Sequence, residues 1–321
     1  MSGTPSPDRT PARRLAIFAF AIVLVLVTGA SVGYVSRGSS SHRSTTSDHG
    51  KAIISSGHGA GDHEMKMDSA SMQPMGLSSS SNGMVLNLHS PNAAQTNASI
   101  EFSIVDASKR PVTDYTVEQT QKLHLILVRR DYTNYQHLHP TLRPDGTWSV
   151  HASFAEPGTY RLIADFTPTG KARTVLATNL AVGDQTTTTP TSLPATSNTT
   201  TIDGFTVTLA STDLAVGTEN SLDETVTRNG KPVQLEQYLG SYGHAVLVRV
   251  PDFAYLHVHP ASTDPVNGKV TFAATPTTAS KYVAFIQFQV AGKVHTAQFT
   301  LNAAGHGSST PTSTPMTGMG N

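Results

Sequence analysis

A unit of roughly 100 residues, the size of one ordinary domain, occurs twice in this chain, and that duplication limits what it can fold into. Lys109-Arg110-Pro111-Val112 in the first copy answers Gly230-Lys231-Pro232-Val233 in the second. Tyr160 to Phe166 (YRLIADF) answers Tyr282 to Phe288 (YVAFIQF), and Gly170-Lys171 answers Gly292-Lys293. The repeat is too long for a solenoid unit, so two homologous domains are expected, over residues 83–184 and 201–303.

The pattern inside each copy is strand-like. In the first, Ala98–Val105, Leu123–Arg129, Trp148–Phe154, Tyr160–Phe166 and Thr174–Val182 are short β-branched and aromatic runs broken by Gly, Pro, Asn and Asp. In the second, Phe205–Ala210, Glu224–Arg228, Ala245–Val250, Val270–Ala274, Tyr282–Val290 and His295–Leu301 repeat the scheme. No long stretch shows a helical apolar period. The expected fold class is all-β, with two tandem antiparallel β-sandwiches of immunoglobulin-like or cupredoxin-like type. Trp148, the lone tryptophan, falls where a sandwich strand would bury it.

Both copies carry the same histidine spacing. His124 is followed by His137-Leu138-His139-Pro140, and His244 by His257-Val258-His259-Pro260, each reading H-x12-H-x-H-P. If Leu123–Arg129 pairs with the following strand across a turn near Asp131-Tyr132, His124 falls opposite His139 and His137 lies on the same face. Pro251-Asp252 suits the centre of the matching type I turn. Pro140 and Pro260 are expected to end their strands, because proline brings no N–H to the ladder.

Three neutral imidazoles so placed match a type-2 copper or a zinc site with open positions, and His-only ligation suits either metal. The same spacing also fits hydrogen-bonded residues at a tight strand end, where imidazole serves as spacer and donor. Both readings stay open, and the intact repetition of the triplet weighs toward metal. Asp165 aligns with Gln287 and so is not a ligand common to both copies, though it could orient one imidazole. His89, His151 and His295 have no histidine counterparts and read as surface residues.

Composition narrows the chemistry. There is no cysteine, which removes disulfides, thiolate nucleophiles, zinc–thiolate sites and blue copper together. Formal net charge is +0, so no basic field gathers nucleic acid. No esterase elbow, zincin helix motif or phosphate-binding glycine loop is present, and no enzymatic activity is expected.

The ends of the chain differ from its middle. After a cytoplasmic head (residues 1–14), the apolar run from Leu15 to Val35 supplies 21 residues, about 30 Å as a helix and enough to cross a bilayer. Arg9, Arg13 and Arg14 precede it, so the bulk of the chain is expected outside the cell membrane. Thr28-Gly29-Ala30 also resembles a cleavage site, so release remains an alternative to anchoring. Residues 36–82 have almost no large aliphatic side chains and read as a disordered stalk. That stalk holds His58, His63, Met65 and Met67, with further His and Met around them, a donor mixture suited to copper. Residues 185–200 form a Thr/Pro spacer that would let the domains move separately, and residues 304–321 a disordered tail.

The anchor, the stalk and the two H-x12-H-x-H-P copies resemble a group of uncharacterised exported actinobacterial proteins with tandem Ig-like HxHP domains. More loosely they resemble periplasmic copper-resistance β-sandwiches, which bind copper through His and Met. The resemblance rests on His124, His137, His139, His244, His257 and His259, and it implies an envelope protein that handles heavy metal, with any envelope protein partner left unidentified. The copper carriers place their ligands at the domain N-terminus instead, so their ligand identities do not transfer. The expected function is therefore a membrane-anchored, extracytoplasmic copper- or zinc-binding protein with two equivalent three-His sites. A tandem Ig-like adhesion or scaffold module with structural histidines is the alternative.

Overall fold

The computed structural model describes residues 74–89, 92–93, 96–183, 193 and 195–305. The anchor segment, the stalk as far as residue 73 with His58, His63, Met65 and Met67, most of the spacer and the tail from residue 306 lie outside the described residues. Among the described residues no helix is long and apolar enough to cross a membrane.

Each repeat is a sandwich of two sheets. In the first copy one sheet runs in the order 80–81, 84–88, 96–106, 147–154, 141–142, and the other in the order 92–93, 174–182, 158–168, 123–129, 136–138. The second copy repeats this arrangement, with 199–202, 205–209, 220–228, 269–274, 259–264 facing 213–215, 293–304, 280–290, 243–249, 255–257. Pairing is antiparallel except at one edge of each copy, where Asn92–Ala93 and Asp213–Ala215 run parallel to their neighbours. The strands Leu123–Arg129 and Thr174–Val182 have the bounds expected from sequence. Inward alternation builds each core: Met84, Ile100, Phe102, Trp148, Phe154 and Phe166 in the first, and Phe205, Leu222, Val226, Phe272, Phe288 and Phe299 in the second. Trp148 stacks on Phe102 at 6.4 Å and donates its indole N–H to the Tyr115 hydroxyl.

The spacer suggested independent domains, but the two sandwiches share a third core. Along Leu123–Arg129 the odd residues Leu123, Leu125 and Leu127 enter the first sandwich. Ile126 and Val128 enter a cluster with Val246, Val248, Val283 and Phe285 of the second sandwich. Strand alternation thus gives these sheets two buried faces, one within the sandwich and one between the sandwiches. Tyr132 stacks on Phe253 at 4.5 Å and Tyr135 on Phe285 at 4.2 Å, with the Arg130 guanidinium over Phe253. Such a shared apolar face opposes separate movement, because parting the domains exposes all of it to water.

The stalk was expected to be disordered through residue 82, yet its last residues are built into this interface. The Arg161 guanidinium donates to the carbonyls of Gly76 and Leu77, and Ala177 N–H donates to Ser78 C=O. Tyr255 N–H in the second sandwich donates to Met75 C=O. Met75 packs against the shared core. Backbone groups paired with both sandwiches order a segment whose side chains could not order it alone.

Candidate metal centre

The face parity that builds the shared core also aims the histidines. The ladder pairs Leu125 with Leu138, Ile126 with His137 and Leu127 with Gln136. One step further along this register places His124 across from His139, as the hairpin argument expects. His124 lies on the same strand face as Ile126 and Val128, and His137 on the same face as its partner Ile126, so both look toward the second sandwich. The second copy has the same register, Val246 opposite His257 and Leu247 opposite Leu256, with His244 on the face of Val246. The side chains of His257 and His259 lie outside what the structure describes.

Near each proline of the motif the chain passes from one sheet to the other. Residues 136–138 belong to the sheet of Leu123–Arg129, and 141–142 to the opposite sheet. Pro140 therefore follows a strand end, as expected. Pro260 does not end a strand: His259–Asp264 continues the edge of the other sheet, with Pro260 paired to Phe272 and the register slipping before Ser262. An edge strand with a bulge is where a residue lacking N–H costs the ladder least. In the preceding turn the Phe253 N–H donates to the Arg249 carbonyl four residues back, in place of the i to i+3 bond that a type I turn centred on Pro251-Asp252 would make.

His124, His137 and His139 converge. One ligand nitrogen from each lies within 4.8 Å of the others. The ring centroids of His124 and His137 are 5.2 Å apart, of His124 and His139 5.2 Å, and of His137 and His139 4.8 Å. Two nitrogens bound to one ion at about 2.0–2.1 Å are at most about 4.2 Å apart. The triad would therefore have to close by at least about 0.6 Å at its widest to share one ion.

Backbone and amide groups set the ring orientations. His124 Nε2 is 3.1 Å from the Glu118 carbonyl, which only accepts, so this nitrogen carries the proton and Nδ1 presents its lone pair. His244 is held in the same way by the Tyr238 carbonyl at 2.6 Å. His137 Nδ1 lies 2.9 Å from Gln287 Oε1, while Gln287 Nε2 donates to the Thr296 hydroxyl. His137 Nε2 then meets His124 Nδ1 at 3.0 Å. Two protonation patterns can be written for that contact, and only the first is a hydrogen bond. With the Gln287 amide turned over, His137 Nε2–H donates to His124. With Gln287 Oε1 accepting from Nδ1–H, two lone pairs face each other, and a cation between them removes the repulsion. A ring N–H held by a carbonyl or amide is the usual support of a metal-bound imidazole. The buried Nε2 of His139 has no hydrogen-bond partner.

The imidazoles are poised to be neutral. Burial, with His139 and His124 close by, pushes His137 down to about 3. Burial and the neighbouring His124 and His244 push His139 down to about 4. Burial also lowers His244, with the Tyr238 carbonyl working against it. Neutral imidazole is the ligating form.

A cavity of about 340 Å³ opens beside these rings, lined by His124, His137, Asp165, His244, Tyr255 and Val258 among others. The Asp165 carboxylate receives the Arg173 guanidinium and, at 2.8 Å, the Tyr255 hydroxyl of the other sandwich. His295 is not on the surface: it is buried against Phe205 and Phe288, with Nδ1 bonded to Asp203 at 2.8 Å. His89 and His151 are exposed. Gln287, Glu118 and Tyr238 escaped the sequence reading as site residues. The pairing of His244 with Gln287 and of His124 with Asp165 along equivalent strands was the one signal pointing to Gln287.

This is a tandem Ig-like protein with histidines gathered at its domain interface. Two copies of a family model, a domain of unknown function (DUF8832), match residues 79–182 and 200–305, and the chain belongs to that family. No curated protein matches it. Among solved structures it is similar to the adhesin FdeC of Escherichia coli, at 15% identity and a TM-score of 0.23, over 70% of this chain and 65% of that one. The adhesin InvE of Yersinia pseudotuberculosis matches at 12% identity and a TM-score of 0.21, over 70% of this chain and 60% of that one. Fibronectin(III)-like modules of Clostridium thermocellum CbhA match at 10% identity and a TM-score of 0.21, over 69% and 94%. The chain thus spans under two thirds of the length of either adhesin. Identities of this size say nothing of a common activity.

Proposed function

We propose that this protein binds copper or zinc through His124, His137 and His139, and does so as a membrane-anchored envelope protein with its bulk outside the cell. The convergence of the three imidazoles, with the buried His139 Nε2 unpartnered, carries the reading. A buried polar atom without a partner costs on the order of 1–3 kcal/mol, and an ion would supply that partner. An all-imidazole set suits copper or zinc and not a hard cation such as calcium, which takes oxygen ligands. The envelope placement rests on the apolar run 15–35, and the stalk donors His58, His63, Met65 and Met67 would gather ions near the sandwiches.

Bound copper and zinc, measured by mass spectrometry on the full chain after chelator treatment and reloading, test this. Four of the stalk donors are removed by His58→Gln, His63→Gln, Met65→Leu and Met67→Leu. Tight binding is expected to vanish when His124, His137 and His139 are all replaced by Gln, and undiminished binding by that variant would refute the proposal. The hydrogen-bonded chain from Glu118 through His124 and His137 to Gln287 favours a second reading, an adhesion or scaffold module with structural imidazoles. On that reading the same variant loses stability equally with and without chelator.

A further inference from the structure

We infer that the two sandwiches build one metal centre between them, with His244 of the second joining His124, His137 and His139 of the first, so that a bound ion ties the domains together. This rests on the metal reading above and replaces the expectation of one site per repeat. The ring of His244 lies 6.0 Å from that of His137, about an ångström beyond the spacings of 4.8 to 5.2 Å within the first triplet, so His244 would have to close in to join the ion. Both line one cavity together with His124.

The orientations agree with the distances. Glu118 and Tyr238 occupy equivalent places six residues before His124 and His244, and their carbonyls fix both rings by Nε2–H. Both rings therefore present Nδ1 as the ligating atom, from strand faces that look at each other across the shared core. The His139 ring lies tilted beside that of Tyr238, the residue that orients His244, with ring centroids 6.4 Å apart. His137 is held from the second sandwich by Gln287. His137 of the first sandwich is thus positioned by the second, and separate sites would not need this crossing.

Four neutral nitrogens complete the coordination of zinc or of tetragonal copper(II) without a carboxylate. An ion bound by groups from both domains stabilises their docked arrangement by mass action, since the parted arrangement binds it more weakly.

The test uses the full chain with the four stalk donors replaced as above, stripped and then titrated with copper(II) and, separately, zinc. One equivalent per chain is expected. His244→Gln, which can still donate to the Tyr238 carbonyl, should weaken binding by at least the roughly 10–100-fold that loss of a ligand's supporting group costs, as should His137→Gln on the other domain. Nitrogen hyperfine structure in the copper(II) spectrum should lose one imidazole in the His244 variant. This spectral readout holds even if affinity is altered by a loss of stability. Two independent equivalents, or a His244 variant with the affinity and spectrum of the parent, would overturn the shared centre and leave metal binding itself standing. A parent that binds no ion would overturn both.

Discussion

His137 in the first sandwich and Gln287 in the second are joined by a 2.9 Å hydrogen bond across 150 residues of sequence. Gln287 stands directly opposite His244 on its own sheet, so one glutamine links the histidines of both repeats. The position aligned with it in the first repeat is Asp165, whose carboxylate bonds back to Tyr255 of the second. The interface therefore carries polar cross-links on the same strand positions that carry the imidazoles.

Replacing Gln287 by Leu removes the acceptor that orients His137 without touching a proposed ligand. Metal affinity should fall roughly tenfold or more, as is usual when the support of a metal-bound imidazole is lost. Competition against a chelator of known affinity reads this directly, and an unchanged affinity would separate Gln287 from the site.

Acid should destabilise the metal-free protein through these histidines. His137 and His139 titrate near 3 and near 4 when folded, against about 6.5 in an unfolded chain. Between those values the unfolded chain binds more protons, so stability is present in full above about pH 6.5 and is lost as pH falls toward 4. Each such histidine contributes up to about 1.4 kcal/mol per pH unit. Urea midpoints with chelator from pH 7.5 to 4.5 should show this slope, and His137→Gln should reduce it.

Glu224 predicts the opposite trend at higher pH. It points into the second core between Leu222 and Val226, fully buried, with neither carboxylate oxygen hydrogen-bonded. Burial pushes it up to about 8. Between about 4.5 and 8 the folded chain holds the extra proton, so stability declines as pH rises through that window. Glu224→Gln should flatten the decline, and the gap in Tm between variant and parent should widen from pH 6 to pH 8.5. A constant gap would argue that the carboxyl is not buried alone.

The shared core makes the two repeats one cooperative unit. Phe285 is buried in it and stacks on Tyr135. Phe285→Ala should cost about 3–5 kcal/mol, the range for emptying a buried aromatic site. Calorimetry should show a single transition for the parent, whereas two resolved transitions in the parent would mean that the sandwiches unfold independently.

Much of the sandwich was legible because strand alternation is a local signal. Leu123–Arg129 and Thr174–Val182 emerge with their observed bounds, and the hairpin register that sets His124 across from His139 follows from period-two geometry alone. The uninterrupted apolar runs Leu125–Val128 and Ala245–Val248 also held a clue that went unread. A strand buried on one face alternates, while one buried on both does not, and these runs do not. The supports of the site were less accessible, since the Glu118 and Tyr238 carbonyls are backbone groups that every residue carries. The conformation of the preceding chain, and not the side chain there, turned them toward His124 and His244.

The sequence by itself determined the duplicated all-β units, the spacing of the imidazoles, and the face of the strand on which each described one lies, because these follow from contacts a few residues apart. Only the tertiary structure decided that the faces of the two repeats meet, that Gly76 and Leu77 are pinned by Arg161 and Met75 by Tyr255, and that His137 of one domain is held by Gln287 of the other. Those relationships depend on burying an apolar surface between residues more than a hundred positions apart. No local period along the chain records which surfaces will come together.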